Sequence, residues 1–242
     1  TDEEPANVYA FIHAVSSRLR EGQVTVVGNG SACVVGGHAY IIKKGQRFIT
    51  NSAIASMGYD LPAAIGAWTA SRDKGCYSQG GDRSGEDLIL VTGDGSMQMN
   101  LQELQTIIHH RMGIKIFVIN NGGYHSIRQT QKNFFGEPLI GIGVDSGDLS
   151  FPALDKLAAA YRYPYVSARH NSELGEAVEK TLAAEGPAIC EVFVSMDQNF
   201  EPKSSAKRLP DGTMVSPPLE DLSPFLPDEE MDENMIIPRI KG

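Results

Sequence analysis

Cysteine is scarce in this 242-residue chain, which carries only Cys33, Cys76 and Cys190. Three is an odd number, and the spacing suits no metal centre, so neither a disulfide framework nor a thiolate metal site is indicated. A reducing, cytoplasmic setting is the expectation. Cys190 falls inside a strand-like run and reads as a buried thiol. Positive charge is also short, with 21 Lys and Arg against 30 Asp and Glu and a net charge of −9. That balance argues against nucleic acid as a partner, because basic patches supply such binding. It leaves room for a small anion, which local backbone amides and a metal can hold. No apolar run approaches the ~18 residues of a membrane span, so no membrane partner is expected. Thr1-Asp2-Glu3-Glu4-Pro5 shows neither a basic start nor a hydrophobic signal core. The absence of an initiator methionine points to a processed chain or a fragment.

Apolar residues, by contrast, make up 41% of the chain, enough for a sizeable core in one large domain or two small ones. The informative stretch is central. Leu88-Ile89-Leu90-Val91-Thr92 reads as a buried strand and ends in Gly93-Asp94-Gly95-Ser96. Ile114-Lys115-Ile116-Phe117-Val118-Ile119 reads as a second strand and ends in Asn120-Asn121-Gly122-Gly123. Between them, residues 101–111 carry Leu101, Leu104, Ile107 and Ile108 at helical spacing. This strand–helix–strand unit puts both polar motifs at the carboxyl ends of parallel strands, where open sheets bind ligands. Asp94 offers an anionic oxygen and Asn121 an amide oxygen, donors that Mg²⁺ takes when it also bridges phosphates. The glycines let backbone approach a diphosphate, and the amides of Gly95 and Ser96 lie at a helix start that favours an anion. Each motif alone is an ordinary turn; the pairing is what points to a site.

The flanking chain repeats the alternation. Val8, Phe11, Ile12, Val15 and Leu19 form one helical stripe, and Val24-Thr25-Val26-Val27 is a strand leading into Gly28-Asn29-Gly30-Ser31-Ala32-Cys33. That loop resembles a dinucleotide fingerprint but has Cys33 where the third glycine belongs. Residues 47–50 form a short strand, and Pro62 suits the first turn of the helix that follows. Residues 71–87 are polar and glycine-rich and read as a surface loop. Helices are expected near 150–161 and 174–184, with strands at 165–168 and 188–194. The fold class is therefore α/β, a doubly wound, mostly parallel sheet with helices on both faces. Beyond Met196, six prolines from Pro202 to Pro227 and an acidic patch from Asp228 predict an extended, Pro-rich C-terminal tail. The division is thus 1–196 for the ligand-binding domain and 197–242 for a tail. Apolar residues within 219–226 suit its docking on a neighbouring domain or chain. His109 and His110 lie in the connecting helix and read as solvated or packed, whereas His125 stands at a loop–helix junction.

The paired motifs resemble the thiamin diphosphate motif of the acetolactate synthase and pyruvate decarboxylase superfamily. A second match covers residues 49–67, where Met57-Gly58-Tyr59-Asp60-Leu61-Pro62-Ala63-Ala64-Ile65-Gly66 resembles a segment of that family, with Asp60 where glycine is common. The resemblance spans roughly residues 6–196 and implies the domain that holds the cofactor's diphosphate. It implies Mg²⁺ ligation by Asp94, Asn121 and the Gly123 carbonyl. Diphosphate contacts would come from Gly30, Ser31, Ala32, Gly93, Gly95 and Ser96, with Tyr124 and His125 along the diphosphate or near substrate. Of these, His125 is the one candidate for a catalytic role. Met57 would prop the bent cofactor, for which the rival reading is core filling. The Ala55 carbonyl would accept from the pyrimidine's 4′-amino group. Residues 132–150 resemble a mobile active-site loop, and Phe134 and Phe135 could wall the substrate.

The activity so implied is decarboxylation of a 2-oxo acid with carboligation, like acetolactate synthase, or simple decarboxylation. The family's activating glutamate comes from a pyrimidine-binding domain, which nothing here resembles. A companion chain or further region, in a two-fold dimer or tetramer, is therefore the expected partner. FAD is not expected. Two readings of other kinds remain open: a Mg²⁺-dependent nucleotide enzyme, which would lack the usual Gly-Lys-Ser/Thr phosphate loop, and a non-catalytic docking module.

Overall fold

A computed structural model describes residues 4–72 and 87–239. The glycine-rich loop expected after Arg72, with Cys76, lies outside the described residues. Six strands form one parallel sheet: β1 (Val24–Val27), β2 (Arg47–Ile49), β3 (Leu88–Gly93), β4 (Ile114–Asn120), β5 (Tyr165–Ala168) and β6 (Ala188–Phe193). Their order is β2-β1-β3-β4-β6-β5, every neighbour pair parallel. Helices α1 (Val8–Arg18), α2 (Ser31–Ala39) and α8 (Leu174–Ala183) pack together on one face. Helices α3 (Asp60–Arg72), α5 (Glu103–His109) and α7 (Leu154–Tyr161) pack on the other.

The apolar runs explain this arrangement. A sheet covered on both faces buries every side chain of its central strands, so β3, β4 and β6 need no polar alternation. Successive residues serve different cores. Leu88, Leu90, Ile114, Ile116 and Val118 join Leu61 and Ala64 of α3, Leu104 and Ile107 of α5, and Ala158 of α7. Phe117 points the other way and meets Phe11 of α1 with ring centroids 6.0 Å apart. Each such fully buried Leu, Ile, Val or Phe side chain contributes about 1.5–3 kcal/mol over its exposed state. Lys115 is buried in β4 because its ammonium reaches the carbonyls of Ala184 and Gly186 and the Asp87 carboxylate, the last at 3.3 Å.

The helix expected over 101–111 is shorter, and a separate helix α4 (Asp94–Gln98) starts directly on β3. Helix α2 was not legible, since Gly36 and Gly37 in its middle weaken the helical signal. Gly36 lets Phe48 pack closely there: a Cβ would lie 3.0 Å from the Phe48 ring. Strand order reverses between β1 and β3, so the loops leaving these two strands diverge and open a crevice at their carboxyl ends.

By contacts the chain divides into Thr1–Gln198 and a second compact unit, Asn199–Gly242. The second unit is more regular than an extended tail. It holds an antiparallel pair, β7 (Lys207–Arg208) with β8 (Met214–Val215), and helix α9 (Asp228–Asn234). The acidic patch forms the first turn of α9, where the helix dipole favours negative charge. Arg239 then pairs with Asp228 and Asp232. Among the described residues no helix is long and apolar enough to cross a membrane.

Candidate functional site

Three strand ends and one loop build the crevice. Beyond β1 the chain turns through Gly28, Asn29 and Gly30 into α2. Gly30 caps α2 at φ +69°, a left-handed conformation that suits glycine. Gly28 has a different reason: a Cβ would lie 2.5 Å from Asp60 Oδ2. Asp60 is fully buried at the start of α3, accepting from the Thr92 hydroxyl and, at 3.1 Å, from the Leu61 amide. The carboxyl at this position thus braces the β1 turn against the end of β3.

At that end stands Asp94, 7% exposed. Its Oδ1 accepts from the Gly95 amide at 2.7 Å and its Oδ2 from the Gly123 amide at 3.1 Å. Burial raises its pKa from 3.8 to about 7, a rise opposed by the amides of Gly95, Gly123 and Gly122 and by the Arg128 charge. A cation binding at this carboxyl would displace the proton that burial retains. The Gly95 amide, expected to face an anion, is here engaged by Asp94. A Cβ on Gly95 would lie 2.3 Å from Tyr124 Cε1, so the tyrosine ring lies directly on that glycine. The same ring meets Phe151 edge-on at 5.9 Å.

The loop after β4 supplies the facing wall. Asn121 Nδ2 donates to Ser31 Oγ at 3.0 Å, which joins the β4 and β1 loops. Its Oδ1 is buried with no hydrogen-bond partner among the described residues. Asn120 donates to Glu191 at 2.6 Å and accepts from the Gly122 amide at 3.1 Å, while Tyr165 donates to the second Glu191 oxygen. Helix α6 (His125–Phe134) follows. His125 is buried, with Nε2 2.8 Å from the Gln198 carbonyl. Residues 132–134 close α6, and 142–145 are tied back to 122–128 by the Gly123–Gly143 bridge and by an Arg128–Asp145 ion pair.

The fourth contribution is the loop before α3. Ala55 adopts φ +55°, unusual for a residue with a side chain, and Gly58 adopts φ +79°. Gly58 is clamped onto α4: its amide donates to Ser96 Oγ at 2.9 Å and its carbonyl accepts from Asn100 at 2.6 Å. Met57 is half-buried and lines the crevice instead of joining the core.

The resulting cleft measures about 240 Å³. Gly30, Ser31, Ala55, Met57, Gly93, Asp94, Gly95, Ser96, Asn121, Gly123, Tyr124 and His125 all line it. Ala32, expected beside them, does not; it is wholly buried in the first turn of α2. Asn29, Ser126 and Ile127 also line the cleft without having been singled out. Phe134 and Phe135 are exposed and are not among the lining residues, and His109 and His110 are exposed on α5 and just beyond it. Among the described residues no three His, Cys, Asp or Glu cluster as a metal site. One carboxylate, one unpartnered amide oxygen and neighbouring carbonyls fit instead a hard cation whose coordination a phosphate ligand completes.

This donor set lies at the switch point of a doubly wound sheet, the edge where open α/β sheets bind their ligands. The family "Thiamine pyrophosphate enzyme, C-terminal TPP binding domain" matches residues 28–192, and the chain belongs to it. It is 30% identical over 157 residues to acetolactate synthase of Arthrospira platensis, covering 65% of this chain and 24% of that protein. It is 32% identical over 157 residues to the acetolactate synthase large subunit of Cyanidium caldarium, covering 64% and 24%. The fold is similar to that of benzoylformate decarboxylase from Polynucleobacter necessarius, with TM-score 0.65, 19% identity, and coverage of 79% of this chain and 33% of that one. The chain thus spans about a quarter of the length of these curated relatives.

Proposed function

We propose that this chain is the diphosphate-binding half of a thiamin diphosphate- and Mg²⁺-dependent enzyme acting on a 2-oxo acid, with acetolactate synthase-like carboligation as its reaction. The observation that carries this reading is the pairing, on one cleft, of the Asp94 carboxyl with the orphaned Asn121 Oδ1. A buried amide oxygen without a partner is costly, and a cation offsets that cost. Asp94, Asn121 and the Gly123 carbonyl would hold Mg²⁺, while Gly30, Ser31 and Ser96 would meet the diphosphate. When bound, thiamin diphosphate supplies an electron sink for the carbon that loses CO₂. The chain's own residues then bind, orient and exclude water. Ala55, held at positive φ, would present its carbonyl to the pyrimidine amino group, and Met57 would fix the bend of the cofactor. Strained backbone at a ligand clamp is consistent with such a role. His125, already hydrogen-bonded to Gln198, is the candidate for contact with substrate.

The activating carboxylate belongs to a pyrimidine-binding domain, from another region or a companion chain in a two-fold assembly. Identity to proteins named acetolactate synthase supports carboligation over simple decarboxylation. Free Cys33 and Cys190 suit a reducing, cytoplasmic compartment.

The test is calorimetric titration of thiamin diphosphate into the full-length, assembled protein with and without Mg²⁺. Mg²⁺-dependent binding that Asp94→Ala abolishes, with the circular dichroism of the fold retained, supports the reading. An Asp94→Ala protein that holds the cofactor as tightly as the parent refutes the metal assignment.

A further inference from the structure

We infer that Arg128 is a positioning residue that sets the Mg²⁺ affinity of this site, acting through the backbone of Asn121 and Gly122 and itself aimed by Asp145. The inference rests on the cofactor reading above and concerns a side chain that would touch neither metal nor cofactor.

Arg128 lies one turn into α6 and is only 1% exposed. A guanidinium at that depth needs its charge paired and most of its donors engaged, or desolvation outweighs what it gains. Its Nε donates to Asp145 Oδ2 at 2.8 Å and its Nη2 to Asp145 Oδ1 at 2.9 Å, the parallel two-bond geometry of a carboxylate fork. Two further donors meet the metal loop: Nη1 reaches the Asn121 carbonyl at 3.3 Å and Nη2 the Gly122 carbonyl at 3.2 Å. Those two carbonyls fix the peptide planes on either side of Gly122. They therefore hold the backbone that carries the Asn121 side chain and leads into Gly123, the two non-carboxylate ligands proposed for the cation.

Two glycines keep this geometry possible. A Cβ on Gly123 would lie 2.1 Å from the Ile142 carbonyl and 3.0 Å from Arg128 Nη2. A Cβ on Gly143 would lie 2.1 Å from the Gly122 carbonyl and 2.9 Å from Nη2. The guanidinium thus sits where two segments of the chain approach as closely as glycine permits. Tyr124 N donates to the Ile142 carbonyl at 2.7 Å and Val144 N to the Gly122 carbonyl at 3.1 Å, so the segment bearing Asp145 and the loop bearing Asn121 form one hydrogen-bonded unit. A lysine could carry the charge but could not grip the carboxylate with two bonds while spanning two carbonyls.

The experiment titrates Mg²⁺ into the full-length, assembled protein at fixed thiamin diphosphate, read by calorimetry, for the parent, Asp145→Asn, Arg128→Lys and the double variant. Losing one charged hydrogen bond that holds the loop should raise half-saturating Mg²⁺ roughly tenfold. Cofactor affinity at saturating Mg²⁺ should stay within about twofold of the parent, since the ligands themselves remain. The double variant should cost little more than either single change, because the two residues act as a unit. Asp145 is partly exposed, so Asp145→Asn carries the test if Arg128→Lys fails to fold. Unchanged Mg²⁺ dependence in Asp145→Asn overturns the inference. So does an equal loss of cofactor affinity at every Mg²⁺ concentration, the mark of a merely structural role. A parent that binds cofactor without Mg²⁺ instead overturns the metal reading beneath it.

Discussion

Asp94 makes a pH-dependent claim that can be worked through. Its carboxyl is 7% exposed, and burial raises its pKa from 3.8 to about 7 despite the amides of Gly95 and Gly123. In the metal-free protein the folded state therefore holds this proton longer than the unfolded chain. The sign follows: the contribution to stability is complete below about pH 4 and is lost as pH rises to about 7. Each pH unit across that window costs about 1.4 kcal/mol, on the order of 4 kcal/mol in all. Asp94→Asn removes the titration. Its amide can still accept from Gly95, but its NH₂ group meets the Gly123 amide, a donor against a donor. That mismatch costs about 1–3 kcal/mol and is the same at every pH. The diagnostic quantity is thus the change with pH of the difference between variant and parent. Urea unfolding with EDTA between about pH 5 and about pH 8 should show the parent losing roughly 3 kcal/mol relative to Asp94→Asn, levelling above about pH 7. Excess Mg²⁺ with thiamin diphosphate should return much of that loss to the parent alone. Stability curves that run parallel across this range would refute the argument, and with it the picture of a carboxyl held near neutrality for a cation.

Gly95→Ala sets two effects in opposition: better helix propensity in α4 favours it by about 1 kcal/mol, while the ring of Tyr124, 2.3 Å from the new Cβ, disfavours it by about 1–3 kcal/mol. The clash should win, lowering the melting temperature by a few degrees, and Tyr124→Ala added to it should recover part of the loss; a single variant melting above the parent would show that the ring yields freely. Thr92→Val keeps the shape of β3 but removes the hydroxyl that donates to buried Asp60. It should cost about 1–3 kcal/mol in urea unfolding, because the buried carboxyl loses a donor, and an unchanged midpoint would dismiss Asp60 as a brace.

The parallel sheet was readable because its strands are continuous apolar runs, a pattern that burial on both faces imposes. The cleft was readable for a related reason: each polar motif closes such a run, so its place at the carboxyl edge follows from the strand itself. What escaped notice depends on partners distant in sequence. Arg128 sits in a polar helix and looks solvated until Asp145 and the loop of Asn121 close around it. Glu191 interrupts an apolar strand with no local sign that Asn120 and Tyr165 will flank it. Gly36 and Gly37 hide helix α2, and Ala32 lies buried in its first turn, past where a loop reading ends. The six prolines from Pro202 to Pro227 suggest an extended tail in the second unit, yet Pro227 precedes α9 and leaves its interior clear.

The chain of bonds from Tyr165 through Glu191 and Asn120 to the Gly122 amide has a consequence for how this loop can be inherited. Its shape is specified partly by a tyrosine on the outermost strand, two strands away from the loop's own. Asn-Asn-Gly-Gly is therefore not a portable cassette. Grafted onto another parallel sheet after a lone strand, it would arrive without the carboxylate that sets Asn120 and without the phenol that sets the carboxylate. A working transplant would have to carry β4, β6 and β5 together, so the smallest exchangeable piece is three strands wide.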